Sequence, residues 1–173
     1  MTLDIAKQAI DWTYQNYLIQ KEKGNLADND KPNITFFGGE PMLMFDSIIK
    51  PVVLYAEEKY NNFIDFGMTT NCTLLSKERI DFLAEHHIAI LCSIDGAEIT
   101  QCYNRPCRNG DNSSKLIEKN IPYLLEKIPE ACFRSTGYAP TIQYLYENYK
   151  YAQSLGFKQY RMCIDERHKW SKI

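Results

Sequence analysis

The sequence predicts an α/β fold built on a parallel sheet, and three observations carry that prediction. Five β-branched or aromatic segments begin near residues 34, 63, 88, 132 and 160. A stretch of helical period lies between each consecutive pair. One segment, Ile88-Ala89-Ile90-Leu91-Cys92-Ser93-Ile94, is almost wholly apolar, as a strand covered on both faces must be. Strict alternation of strands and helices implies right-handed crossovers and parallel pairing. It leaves open whether the sheet is doubly wound or part of a barrel.

The elements follow in order. Apolar residues at 3, 6, 10, 14 and 17 predict a helix from Leu3 to Lys21, with Thr2 as its cap. A polar loop from Gly24 to Lys31 stops at Pro32. Ile34-Thr35-Phe36-Phe37 reads as a strand ended by Gly38-Gly39. A helix is expected from Asp46, taken as its cap, to Tyr60. Phe63–Thr69 follows as a strand, and Ser76 caps a helix to His86. After the apolar strand, Ala97–Asn112 reads as one long loop rich in Asn, Arg, Pro and Gly. Ser114 opens a helix to Lys127. Cys132–Thr136 is a short strand, Pro140–Ser154 a helix stopped by Gly156, and Tyr160–Ile164 the last strand. The tail from Asp165 to the end is polar and reads as the start of a linker or a downstream segment. Residues 1–173 otherwise form a single domain, with a helix at one end and a strand near the other, as in a parallel fold cut at both ends.

Composition narrows the function. The 173 residues are 45% hydrophobic and 24% charged, the make-up of a folded domain. Twenty basic against twenty-two acidic side chains leave a net charge of -2, so no basic excess is available for a phosphate backbone and no nucleic-acid partner is expected. Apolar runs are too short for a membrane span, and the start lacks the pattern of a signal peptide. Six cysteines without a CxxC pair are read as reduced thiols of a cytoplasmic protein. Cys102 and Cys107 are either a metal pair or two loop cysteines, with no second pair nearby.

In parallel α/β folds the site lies at the carboxyl ends of the strands. After the first strand comes Gly38-Gly39-Glu40-Pro41. Two glycines let a ligand approach the backbone, and a carboxylate beside them suits an ammonium or hydroxyl. An ordinary tight turn with a solvated Glu40 reads equally well. Asn71, after the second strand, either binds a ligand through its amide or makes a turn. Ser93 and Asp95 share one face at the end of the third strand, lining a site or closing an Asp-Gly turn. Arg134, inside the fourth strand, requires an anionic partner from the protein or a ligand. Arg161 holds a similar place in the last strand. His86 and His87 suit the carboxyl end of their helix. The tyrosines at 144, 146, 149 and 151 are read as helix packing.

Three stretches, in order, resemble the radical S-adenosylmethionine superfamily: Ile34-Thr35-Phe36-Phe37-Gly38-Gly39-Glu40-Pro41-Met42-Leu43, Thr70-Asn71-Cys72-Thr73-Leu74-Leu75, and Ser93-Ile94-Asp95-Gly96 with Asn104-Arg105-Pro106. They look like the family's GGEP, TNGTLL, SIDG and NRP segments, with Cys72 in place of the usual glycine. The last two are similar to the peptide- and sulfatase-modifying branch, whose members often carry a SPASM domain. The resemblance implies a partial (β/α)6 TIM-like barrel missing its first strand and the CxxxCxxC loop after it. No CxxxCxxC occurs in the 173 residues, so a fragment or truncated product is expected, inactive alone.

For the full-length parent the resemblance implies S-adenosylmethionine and a [4Fe–4S] cluster as cofactors, an electron donor, and a peptide or protein substrate. The parent would be an oxidoreductase of activating or maturase type. Gly38, Gly39 and Glu40 would receive the methionine ammonium, Asn71, Ser93 and Asp95 would border the ligand, and Arg134 would meet its carboxylate. A pyruvate formate-lyase-activating-enzyme-like protein is a neighbouring reading. A cluster-less α/β binding module without catalysis is a different one. Without a first strand, Ile34–Phe37 is an exposed sheet edge, for which self-association or cover by a terminal segment is expected.

Overall fold

A computed structural model describes residues 1–107 and 112–166. Five strands, β1 (Asn33–Phe36), β2 (Asp65–Thr70), β3 (Ala89–Ser93), β4 (Cys132–Gly137) and β5 (Gln159–Ile164), form one sheet in the order β1-β2-β3-β4-β5. All four pairings are parallel. Sequential order settles what alternation left open. With a constant crossover hand, successive helices fall on the same face, so the sheet is singly wound like a barrel wall. The helices are α1 (Leu3–Glu22), α2 (Lys50–Tyr60), α3 (Lys77–Glu85), α4 (Glu98–Asn104), α5 (Ser113–Glu118), α6 (Ile121–Lys127) and α7 (Leu145–Ser154).

Burial shows the two faces. Phe66, Met68, Ile90, Cys92 and Phe133 are buried under the helices. The alternate residues Asn33, Thr35, Ala89, Arg161 and Cys163 are exposed on the opposite face. That inner face has no helical layer among the described residues, and Ser93 and Arg134, in register with each other, stand on it.

Several boundaries differ from expectation. Asp46 is not a helix cap. Residues 41–60 wind as a 3-10 turn Pro41–Met44, a π turn Phe45–Ile49, and then α2. Pro51 has no N–H to donate back to Ser47, so the α-ladder cannot run through this point. The expected loop 97–112 contains α4, which sequence periodicity concealed because the helix faces inward with polar residues. Thr100 and Gln101 are buried while Ile99 is exposed. The Gln101 side chain accepts from the Asp95 N–H at 2.8 Å, so a tertiary contact holds this helix.

The helix expected from Ser114 to Lys127 is two helices, broken before Pro122, which cannot donate to Glu118. Asn112, not Ser114, is its cap, accepting from the N–H groups of Ser114 and Lys115 at 2.9 and 3.4 Å. The first third of the helix expected at 140–154 is a 3-10 stretch, Ala139–Tyr144. Of its tyrosines, Tyr151 packs and donates to Glu118 at 2.7 Å, whereas Tyr146 is largely exposed. Residues 108–111 of the long loop, and the tail from Arg167 with His168, lie outside the described residues.

α1 is fastened to α2 by a polar staple. The Asp11 carboxylate accepts from Tyr60 Oη at 2.6 Å, Tyr55 Oη at 2.8 Å and Lys59 Nζ at 2.9 Å. Burial alone would raise the Asp11 carboxyl, but the hydroxyls of Tyr60 and Tyr55 and the Lys59 ammonium hold it below its usual value. A depressed folded value adds stability that is present above the unfolded value, about 3.9, and is lost as pH falls through the folded one. Asp11→Asn should therefore flatten the acid limb of the stability curve below about pH 4. Urea midpoints measured from pH 2 to 7 check this, and parallel curves for the two proteins would contradict it.

The outer edge of β1 pairs with no second strand among the described residues. α1 borders it across an apolar groove of about 340 Å³ lined by Ala6, Ile10, Phe36, Phe37 and Met44. Phe37 is 70% exposed there.

Candidate functional site

The strand register brings most of the candidate residues to one level. Phe36 lies beside Met68, Thr69 beside Leu91, and Ser93 beside Arg134. Counting two residues on from the first two pairs sets Gly38 level with Thr70 and Asn71 level with Ser93. The carboxyl ends of β1 to β3 thus bring the Gly38-Gly39 turn, Asn71 and Ser93 to one end of the sheet, with Arg134, inside β4, level with Ser93. Below this level the inner face holds a depression of about 470 Å³, lined by Thr35, Gly67, Thr69, Leu91, Cys132 and Arg161 among others.

The two glycines are open. A Cβ built at Gly38 or Gly39 would meet no atom within 4 Å, and Gly38 has a φ of +141, a conformation that L side chains rarely adopt. Backbone groups there are accessible to a ligand at close range.

Glu40 is no solvated turn residue. Its Oε1 accepts from the Met42 N–H at 3.0 Å and from Thr70 Oγ1 at 2.8 Å, and its Oε2 accepts from the Asn71 N–H at 2.8 Å. The carboxylate braces the loop after β1 against the end of β2 while capping its own 3-10 turn. Of about four acceptor positions on a carboxylate, three are occupied.

Asn71 makes a turn. Its Oδ1 accepts from the N–H and Oγ1 of Thr73 at 3.0 and 2.7 Å. Cys72 then has φ 64, in the left-handed region, which explains why glycine suits this position. Its thiol is fully buried beside that of Cys92. That neighbouring thiol, followed by burial, pushes the Cys72 thiol well above its ordinary value, so it remains protonated.

Asp95 departs most from its expected place. It is only 1% exposed, and its carboxylate accepts from Arg105 Nε at 2.9 Å, Arg105 Nη2 at 3.3 Å and the Thr136 N–H at 2.7 Å. It ties the loop after β3 to β4. Gly96, at φ +155, passes so close to Asn148 that a Cβ would fall 2.0 Å from its Oδ1. Arg134, half-buried, donates to Cys163 Sγ at 3.5 Å on β5. His86 pairs through Nδ1 with the Glu57 carboxylate at 2.8 Å, away from these residues.

Sequence reasoning missed two contributors. Thr70, 1% exposed, relays between Glu40 and the Cys72 N–H, which donates to its Oγ1 at 3.1 Å. Arg105 is the partner of Asp95. Both lie within the quoted motifs, so a carboxylate in one half of a paired motif and a guanidinium in the other was the available signal.

The described residues do not fit an iron–sulfur cluster. Among them no group of three or more His, Cys, Asp or Glu could hold a metal ion, and all six thiols are free. Cys102 donates its thiol to Asn112 Oδ1 at 3.3 Å rather than pairing with Cys107. Anaerobic iron–sulfide reconstitution of this chain is expected to yield no stable [4Fe–4S] cluster, because such clusters need converging thiolates. A stoichiometric cluster by Mössbauer spectroscopy would overturn this. Among the described residues no helix is long and apolar enough to cross a membrane.

The comparisons with known proteins agree with this architecture. An uncharacterized protein of Methanocaldococcus jannaschii is 34% identical, over 73% of this chain and 47% of its own. The radical SAM cyclopropyl synthase TigE of Paramaledivibacter caminithermalis is 25% identical, over 83% of this chain and 30% of its own. Among solved structures, native anSMEcpe with bound AdoMet and Kp18Cys peptide superposes with a TM-score of 0.70 at 22% identity, over 81% of this chain and 41% of that one. Streptococcus suis SuiB bound to precursor peptide SuiA gives 0.58 at 18% identity, over 88% and 32%. The chain therefore spans less than half the length of each of these proteins. The profile of the Radical SAM superfamily matches residues 16–152, and with its singly wound parallel sheet and the row of motif residues along one end, the chain belongs to that superfamily.

Proposed function

We propose that the chain is the S-adenosylmethionine-binding part of a radical SAM enzyme that modifies a peptide or protein. The observation that carries this reading is the open Gly38-Gly39 backbone after the end of β1. Its carbonyl groups receive the ammonium of the ligand, and the Glu40 charge beside them adds attraction. Ser93 and Asn71 border the ribose and methionine portion. Arg134, a cation in register with Ser93, takes the methionine carboxylate. Asp95 acts behind these residues, through Arg105 and Thr136, by holding the wall in place.

The cluster ligands and the entry of the electron donor lie outside the described residues, and the chain alone is inactive. Held by the Gly38-Gly39 backbone, Asn71, Ser93 and Arg134, S-adenosylmethionine would supply the radical chemistry of the family once an iron–sulfur cluster were provided from outside these residues. A peptide or protein substrate is supported by anSMEcpe and SuiB, whose structures hold peptides, and the open inner face gives an extended chain room to approach.

The test uses Gly39. A side chain there meets nothing in the protein and requires no left-handed backbone, so Gly39→Val should leave the melting temperature unchanged. It should weaken S-adenosylmethionine binding by about tenfold or more, since contact with the backbone is blocked, a loss of about 1.4 kcal/mol. An NMR titration, which reads millimolar affinities, measures both proteins and locates the shifted amides. Equal affinities, or shifts remote from Gly38, Asn71 and Ser93, sink the assignment. In the coding DNA, a CxxxCxxC within roughly thirty residues upstream of Met1, about one βα unit, separates the enzyme from a cluster-less binding module.

A further inference from the structure

The two loops that carry the glycines and Asn71 are joined a second time, on the side away from the open face, by one residue of α3. Arg79 lies in the first turn of that helix. Its own N–H donates to the cap residue Ser76 Oγ at 3.3 Å, which fixes its backbone. Its Nη1 donates to the Met42 carbonyl at 3.3 Å and to the Leu74 carbonyl at 3.1 Å. Nη2 donates to Asp46 Oδ2 at 3.1 Å. The guanidinium carbon stands 5.1 Å over the ring of Phe45, itself buried.

Met42 is two residues past Glu40, and Leu74 is three past Asn71. One planar group thus takes a carbonyl from each loop. The Met42 carbonyl also accepts from the Phe45 N–H within its 3-10 turn, so Arg79 adds a second donor there and, from the same rigid element, a donor to the Leu74 carbonyl. The next carbonyl, that of Leu75, is taken by Asn120 Nδ2 at 2.8 Å, so the second loop is held from both ends of its exit.

We infer that Arg79 is a positioning residue: it locks the Gly38–Met42 and Asn71–Leu74 loops into one unit, so that both present their backbones to S-adenosylmethionine in a fixed register. Glu40 bolts the loops together near the glycines, and Arg79 bolts them farther out. Two separated fastenings fix the relative orientation of the loops, where one would leave a hinge. The fork of the guanidinium is what the arrangement requires. A lysine ammonium is a single point donor and cannot reach both carbonyls and Asp46 with the same geometry. The ligand named here rests on the cofactor reading above; the locking of the loops does not.

The experiment compares wild type, Arg79→Lys and Asp46→Asn, each as the 173-residue chain. Hydrogen exchange of individual amides is followed first, without ligand. Arg79→Lys is expected to speed exchange at Asn71, Thr73 and Met42 by tenfold or more, with β4 amides unchanged. Asp46→Asn keeps both carbonyl bonds and should stay within twofold of wild type. S-adenosylmethionine titrations should then show about tenfold weaker binding for Arg79→Lys alone.

Wild-type exchange rates in Arg79→Lys, or uniform acceleration that includes β4, overturn the locking role. Local acceleration with undiminished affinity overturns its bearing on the ligand. Failure of wild type to bind S-adenosylmethionine counts against the cofactor reading, and the exchange data then decide the locking of the loops independently.

Discussion

Asp95→Ala is expected to lower stability by about 3–5 kcal/mol, the cost of breaking a buried ion pair from one side. Asp95 is 1% exposed, while the Arg105 side chain is 35% exposed. Removing the carboxylate orphans the guanidinium and the Thr136 N–H together and frees the start of the loop after β3. For a chain of this size that corresponds to a fall in melting temperature of about 6–20 °C. Arg105→Ala should cost at least as much, because it leaves a buried carboxylate without its cation. The double variant should cost clearly less than the sum of the two single ones, since each already destroys the same interaction. Asp95→Asn retains an acceptor for Thr136 and should fall between wild type and alanine. Urea unfolding of the four variants measures these differences. A loss below 1 kcal/mol for Asp95→Ala would mean that the pair behaves as an exposed one, comparable to Arg79 with the 76%-exposed Asp46.

Glu40→Gln is expected to damage both stability and ligand affinity. From sequence alone the substitution would spare the fold, because the side chain would point into a ligand site. The structure alters that expectation. All three donors to Glu40 belong to the protein, and the amide that replaces one carboxylate oxygen can donate but not accept. Whichever way the amide is turned, an N–H or a hydroxyl loses its acceptor. A hydrogen bond to a charged group contributes about 1.5–3 kcal/mol. A stability loss of that order is expected, together with a tenfold to hundredfold loss of S-adenosylmethionine affinity at about 1.4 kcal/mol per factor of ten. Glu58→Gln, on an exposed site, is the control. Glu57→Gln is not, because Glu57 is paired with His86. A Glu40→Gln protein that melts like wild type but binds weakly would restore the simpler picture of a carboxylate reserved for the ligand.

The sequence by itself determined the class of fold. Alternation of strand and helix signals located all five strands within two residues, because a parallel sheet requires continuous apolar runs such as Ile88–Ile94 and a connecting helix between them. It also placed the candidate residues Gly38-Gly39-Glu40, Asn71 and Ser93 after strand ends, where parallel α/β folds carry their sites.

Tertiary structure decided the rest. Whether the sheet is singly or doubly wound depends on which strands become neighbours, and no local pattern encodes that. α4 exists because Gln101 reaches Asp95 and polar residues face inward, the inverse of the periodicity that reveals a helix. Glu40 and Asp95 look alike from sequence, each a carboxylate after a strand. In space one braces the two loops at the open end of the sheet, and the other is sealed behind it against Arg105. The physical reason is that a carboxylate's role depends on which donors surround it, and apart from the Met42 N–H beside Glu40 those donors come from residues 10 to 41 positions away in the chain.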